Sequence, residues 1–190
     1  MLTGRRAIFS IWRQPKRLRT SVPASLWDWL LDPASLTRRL QQVCGRFRVQ
    51  VYRQGWRRTT LDEARALGLR AGIRVFIREV HLFCDEQPVV FARTVIPRYT
   101  LQGKYRRLTQ LGNRSLGAVL FADKTLRRSD LEIAVIGERQ FLFAPALALS
   151  SAKPAKIWGR RSLFHLSNRP LLLSEIFLHD MSGLPPSKCK

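Results

Sequence analysis

Along the chain, apolar positions recur first with a helical period and then with a strand period. Leu26, Trp27, Leu30 and Leu31 fall on helical spacing over residues 25–31. Asp32 and Pro33 then read as an N-cap and N1 proline opening a second helix, whose stripe is Leu36, Leu40 and Val43 and whose end is Gly45. From there the period drops to two: Phe47, Val49 and Val51 alternate with Arg46, Arg48 and Gln50, as in a half-buried strand. Thr60 followed by Glu63 makes a capping box for a short helix ending near Gly68. Long strands are predicted over 73–83 and 88–96, joined by a tight turn, with another over 131–136 and a final pair over 158–166 and 171–178. Residues 100–121 are helical or irregular, broken by Gly103, Gly112 and Gly117, and the Ala-, Ser- and Pro-rich stretch 137–156 reads as a loop.

Six strands, two obvious hairpins and few helices predict an antiparallel α+β domain. Its expected limits are 25–180, between a basic, flexible arm at 1–24 and a tail at 181–190 holding Pro185 and Pro186. From Met1 to Trp27 there are six basic residues and no acidic one. The longest apolar run, 141–149, is interrupted by Pro145 and falls far short of the ~20 residues that span a bilayer. There is no internal repeat and no Gly-rich nucleotide-binding pattern.

Composition changes the picture mainly through charge. Thirty-four Lys and Arg against thirteen Asp and Glu give +21, a field that attracts nucleic acid, acidic headgroups or a small dianion alike. Cys44, Cys84 and Cys189 are an odd count without C-x-x-C spacing, which argues against a disulfide framework and fits a reducing cytoplasm. His81, His165 and His179 form no metal-binding spacing, so no metal is expected.

Chemistry emerges when the hairpins are put in register. With Asp85–Glu86 as a two-residue turn, Arg78 falls opposite Arg93, each among apolar neighbours. Two guanidiniums placed so repel one another unless an anion lies between them or both are solvated. Arginine is the side chain suited to a planar carboxylate. With Asn168–Arg169 as the second turn, Glu175 faces Ser162 within an apolar row. Desolvation would raise its pKa and make it a proton donor or acceptor near neutrality; a salt bridge to the diagonally placed Arg160 is the other reading.

Arg78-Glu79-Val80, Ala92-Arg93-Thr94-Val95-Ile96-Pro97, Leu116-Gly117, Trp158-Gly159-Arg160-Arg161-Ser162 and the run from Arg169-Pro170 through Glu175 to Leu178 resemble, in order and spacing, the chorismate pyruvate-lyases of bacterial ubiquinone synthesis. The resemblance implies a six-stranded antiparallel sheet with helices as lids over an internal site, working as a cytoplasmic monomer. It also implies a carbon–oxygen lyase without cofactor, splitting chorismate into 4-hydroxybenzoate and pyruvate, with slow product release. On that reading Arg78 binds a ligand carboxylate with Arg93 aiding the field, and Glu175 sits at the ligand's other end as acid/base or positioning group. Leu116 and Leu36 would line the pocket. Two departures from the family pattern are the Asp85-Glu86 turn, where the family tends to have Asp-Gly, and Leu36, where a methionine occurs.

Two other classes stay open. A non-catalytic domain of the same fold would bind a small aromatic acid, although about 45 residues before the first strand are too few for a convincing helix-turn-helix module. A nucleic-acid-binding protein would use the charge, but the basic residues are dispersed and carry no recognisable motif, so no specific nucleic acid is expected. The basic surface also suits peripheral contact with an acidic membrane.

Overall fold

The computed structural model describes residues 10–18, 21–178 and 181; the C-terminal prolines, His179 and Cys189 lie outside them. Its centre is one antiparallel sheet. The strands are β1 (Phe47–Arg58), β2 (Arg74–Cys84), β3 (Gln87–Ile96), β4 (Arg127–Arg128), β5 (Glu132–Gly137), β6 (Lys156–Leu166) and β7 (Arg169–Phe177). They run in the order β1-β2-β3-β7-β6-β4, with β5 also paired to β6. That makes seven strands where six were expected. The extra one is the two-residue β4, which pairs with the His165 end of β6 while β5 pairs with the other end, so the two form one interrupted edge.

Helices α1 (Ala24–Leu31), α2 (Leu36–Val43) and α4 (Leu116–Phe121) cover one face. On the other lie α3 (Leu61–Ala66) and α5 (Phe143–Leu147). The α3 capping box is present as expected: Thr60 Oγ1 accepts from Glu63 N, and Glu63 Oε2 accepts from Thr60 N. The start of α2 differs from the expectation. Its N-cap is Ser35, whose Oγ accepts from Arg38 N, because Asp32 is engaged otherwise: its carboxylate accepts from Ala34 N and pairs with Arg39. The stretch 137–156 is likewise not all loop, since Phe143–Leu147 is helical and packs Leu142 and Ala146 under β3. Within the basic arm, Arg13 exchanges both backbone hydrogen bonds with Ile133 of β5. Among the described residues no helix is long and apolar enough to cross a membrane.

The cysteine reading is overturned. Cys44, just after α2, and Cys84, at the end of β2, form a disulfide that closes 40 residues of chain. The odd total misled because Phe47 pairs with Cys84 in the β1–β2 ladder, so the sheet itself carries the two sulfurs together. Cysteine usage therefore no longer argues for a reducing compartment.

His81, fully buried beneath α5, sets an acid limit on stability. Its Nε2 bonds to Ala146 O at 2.9 Å, whereas Nδ1 is buried without a partner. Burial lowers its pKa from the ordinary value, more than the carbonyls of Ala146 and Pro145 raise it. A protonated His81 is thus favoured by the unfolded chain. Its contribution is complete above the unfolded value of about 6.5 and is lost progressively as pH falls from there towards the folded value. Urea unfolding at pH 7.5 and pH 5.0 should show a smaller loss for His81→Gln than for the wild type; equal losses would refute this.

Candidate active site

The register of the first hairpin decides which arginine meets the cavity. Cys84 pairs with Gln87 and Phe83 with Pro88, as expected, but a bulge then moves the pairing to Leu82–Val90. Pro88 brings no N–H to the ladder, and Val89 O accepts instead from Leu178 N. The one-residue shift puts Arg78 opposite Thr94 and Glu79 opposite Arg93, on alternate faces of the sheet. Arg78 and Arg93 are therefore not side by side.

On the back face Arg93 is fully engaged. Its Nε donates to Glu63 Oε1 at 2.6 Å, Nη2 to Glu63 Oε2 at 3.1 Å and Nη1 to Glu79, whose other oxygen takes Arg53 Nε. Burial opposes its charge, yet the two glutamates outweigh it and raise its pKa. Arg161 is held likewise by Asp62 and Glu132. None of these groups reaches the cavity described next.

The second hairpin also shifts. Its turn is Ser167–Asn168, both at positive φ (48° and 64°), as a two-residue type I′ turn requires, and Leu166 pairs with Arg169. Arg160, not Ser162, is thereby opposite Glu175. The ion pair is direct: Arg160 Nε donates to Glu175 Oε2 at 2.6 Å. Arg160 Nη1 also donates to Trp29 O and Asp32 O, tying the pair to the junction of α1 and α2. Of the two readings for Glu175, the salt bridge is the one the structure contains. Gly159 beside it is closely packed: a Cβ there would lie 2.6 Å from Ile176 Cδ1 and 3.3 Å from Glu175 O, so the Ile176 side chain would have to shift.

Above these strands lies a cavity between the sheet and helices α2 and α4. Its floor is made of two adjacent cross-strand rungs. Arg78, Thr94 and Leu173 supply one, and Val80, Ala92, Glu175 and Arg160 the other. Arg78 and Glu175 are thus two strands and one rung apart, roughly 12 Å between Cα atoms. Leu36 and Leu116, the first residues of α2 and α4, form the roof with Gly117. A Cβ on Gly117 would stand 3.1 Å from Thr37 Oγ1 and 3.2 Å from Ser35 Oγ, so glycine permits the two lids to touch.

Arg78 is only 2% exposed, and among the described residues no carboxylate lies within ion-pair distance of it. Its Nη2 donates to Gly112 O and Arg114 O, holding the segment that leads into α4, while its Nε is buried with no partner. Desolvation pushes its pKa down to about 10. A buried cation without a counter-ion is costly, and here it faces a cavity able to admit one. Arg128 also lines the cavity. No sequence signal marked it, because a two-residue strand has no periodicity to read. The charged lining is then Arg78, Arg128, Arg160 and Glu175, a formal excess of two positive charges.

Comparison with known proteins gives a consistent set of relatives. Residues 7–182 match the family model described as chorismate lyase. A protein of Azoarcus sp. (strain BH72) named "Probable chorismate pyruvate-lyase" is 48% identical over 84% of this chain and 87% of its own. One of the same name from Methylococcus capsulatus is 44% identical over 84% of this chain and 98% of its own. Among solved structures, the C-terminal domain of PhnF is similar in fold, with a TM-score of 0.58, 18% identity and coverage of 74% of this chain and 87% of that one.

Proposed function

From the premise that this chain belongs to the chorismate lyase family, we propose that it converts chorismate to 4-hydroxybenzoate and pyruvate at the cavity under α2 and α4. The observation that carries this reading is Arg78, a buried guanidinium with no counter-ion among the described residues, facing the same cavity as an arginine-held glutamate. Such a pair of ends fits a flat ring with a carboxylate at one side and a hydroxyl at the other.

The reaction breaks the ether bond to the enolpyruvyl group and the C–H bond of the adjacent carbinol carbon. The C–H electrons become a ring double bond, the ether oxygen leaves with its pair, and the proton lost from the ring is the one the enolpyruvate takes up at its methylene carbon to become pyruvate. Aromatisation drives the step, so the protein's task is to hold the dianion, exclude water and stabilise charge moving to the leaving oxygen. Arg78 takes the ring carboxylate through its Nε edge. Glu175 keeps Oε2 on Arg160, and its Oε1, without a protein hydrogen bond among the described residues, accepts from the carbinol hydroxyl and orients the carbon that loses hydrogen. Leu36 and Leu116 close over the ring, and a product sealed beneath them leaves slowly. The place of this reaction at the entry to ubiquinone synthesis goes with the same reading.

Incubation with chorismate, following 4-hydroxybenzoate by absorbance and pyruvate by a coupled assay, should give both in equal amounts. Glu175→Gln should lower kcat about 10–100-fold, the scale of a lost hydrogen bond to a charged group. Wild-type turnover in that variant would remove Glu175 from the mechanism. Thermal stabilisation by 4-hydroxybenzoate without any turnover of chorismate would show a binding domain instead.

A further inference from the structure

Arg128, half-buried where Arg78 is inaccessible, is a second lining arginine with no carboxylate pairing with it among the described residues. Its Nη1 donates to Pro33 O at 2.7 Å and its Nε to Ser162 Oγ at 3.1 Å. The guanidinium lies 5.1 Å from the centre of the Phe164 ring, another lining residue. Burial first, and the nearby Arg160 second, push its pKa down. Glu175 and Asp32 offset part of this at a distance, without pairing with it.

Its position relative to Arg78 is set by the sheet. The rung that begins with Arg78 on β2 crosses Thr94 and Leu173 and ends at Ser162 on β6, the residue that Arg128 touches from β4. Arg128 itself pairs with Phe164, one rung further along, so four strand spacings and that rung put the two arginines roughly 20 Å apart at Cα, a gap that two long side chains narrow from both ends. The Arg160–Glu175 pair, one rung to the other side of Arg78's, is neutral as a pair, so the cavity's two net positive charges are Arg78 and Arg128.

We infer that Arg128 binds the second carboxylate of the substrate, that of the enolpyruvyl group, and so distinguishes the dianionic substrate from the monoanionic ring product. This rests on the lyase reading above. After the ether breaks, the carboxylate at Arg128 belongs to pyruvate, while the ring product is held by Arg78 and Glu175 alone. Substrate affinity therefore depends on Arg128 and product affinity does not.

The full chain and its Arg128→Gln and Arg128→Lys variants should be compared for KM with chorismate, for competitive inhibition by 4-hydroxybenzoate and for melting temperature. KM should rise about 10–100-fold in Arg128→Gln, with the inhibition constant changed less than about twofold, and Arg128→Lys should recover part of the loss. Proportional rises in both constants would overturn the inference, showing that Arg128 only moors the α1–α2 junction through Pro33. An unchanged KM would overturn it equally. Calorimetric binding of chorismate to Glu175→Gln with and without Arg128→Gln separates the two readings. If the wild type forms no product but chorismate binding still requires Arg128, the lyase reading fails and the subsite stands. If chorismate does not bind at all, both fall.

Discussion

Arg78→Met should abolish most of the activity while leaving the unliganded protein as stable as the wild type or more so. Truncating one partner of a buried, hydrogen-bonded charge pair removes 2–5 kcal/mol of binding. At about 1.4 kcal/mol per tenfold, kcat/KM for chorismate should drop on the order of 100–1,000-fold. Stability should move differently, since among the described residues Arg78 has no counter-ion to lose. Methionine gives up the hydrogen bonds to Gly112 O and Arg114 O, but it also removes a desolvated charge, and apolar replacement of buried charge is often neutral or stabilising. Arg78→Lys should retain less than a tenth of the activity, because an ammonium cannot present a planar fork to a carboxylate. The decisive measurements are kcat/KM and thermal melting on the same preparations. Activity and melting temperature falling together would make Arg78 a structural residue; near-normal kcat/KM would remove it from the site.

The fold was largely legible because its signals are local. Alternation over 47–51, the Thr60–Glu63 box and the two long hairpins all lie where the sequence places them. Of the cavity, four lining residues were singled out in the sequence, but their geometry was not legible there. Arg78, Glu175, Leu36 and Leu116 all line the cavity, yet both cross-strand pairings were offset. In the first hairpin the cause is the bulge at Val89, which depends on Val89 O bonding to Leu178, a residue about 90 positions away. In the second it is the preference of a type I′ turn for two residues at positive φ, met by Ser167–Asn168 and not by Asn168–Arg169. Since strand faces alternate, a slip of one residue exchanges inside for outside, and that alone separates an arginine in the cavity from one in the ion network. The disulfide was missed for a similar reason: its partners meet only through the β1–β2 ladder.

Arg93→Met should produce the opposite signature, a protein that is much less stable and, while folded, still binds 4-hydroxybenzoate. Arg93 neutralises Glu63 and Glu79 together, both nearly inaccessible to water. Removing it leaves two carboxylates buried near one another, with only the half-exposed Arg53 still on Glu79. Breaking a buried pair by deleting one partner costs about 3–5 kcal/mol. For a domain of this size that lowers the melting temperature by roughly 6–20 °C. The carboxylates then gain from protonation, so the deficit should shrink as pH falls towards 5. Adding Glu63→Gln should restore a measurable part of the loss, because a neutral amide needs no counter-ion and still accepts from Thr60 N. Product affinity below the melting range should stay within about twofold of the wild type, since Arg93 lies across the sheet from Arg78 and Glu175. A large drop in affinity with little change in melting temperature would place Arg93 in the ligand's field after all. A large drop in melting temperature with intact binding would fix it as the scaffold that holds β2, β3 and α3 together beneath the site.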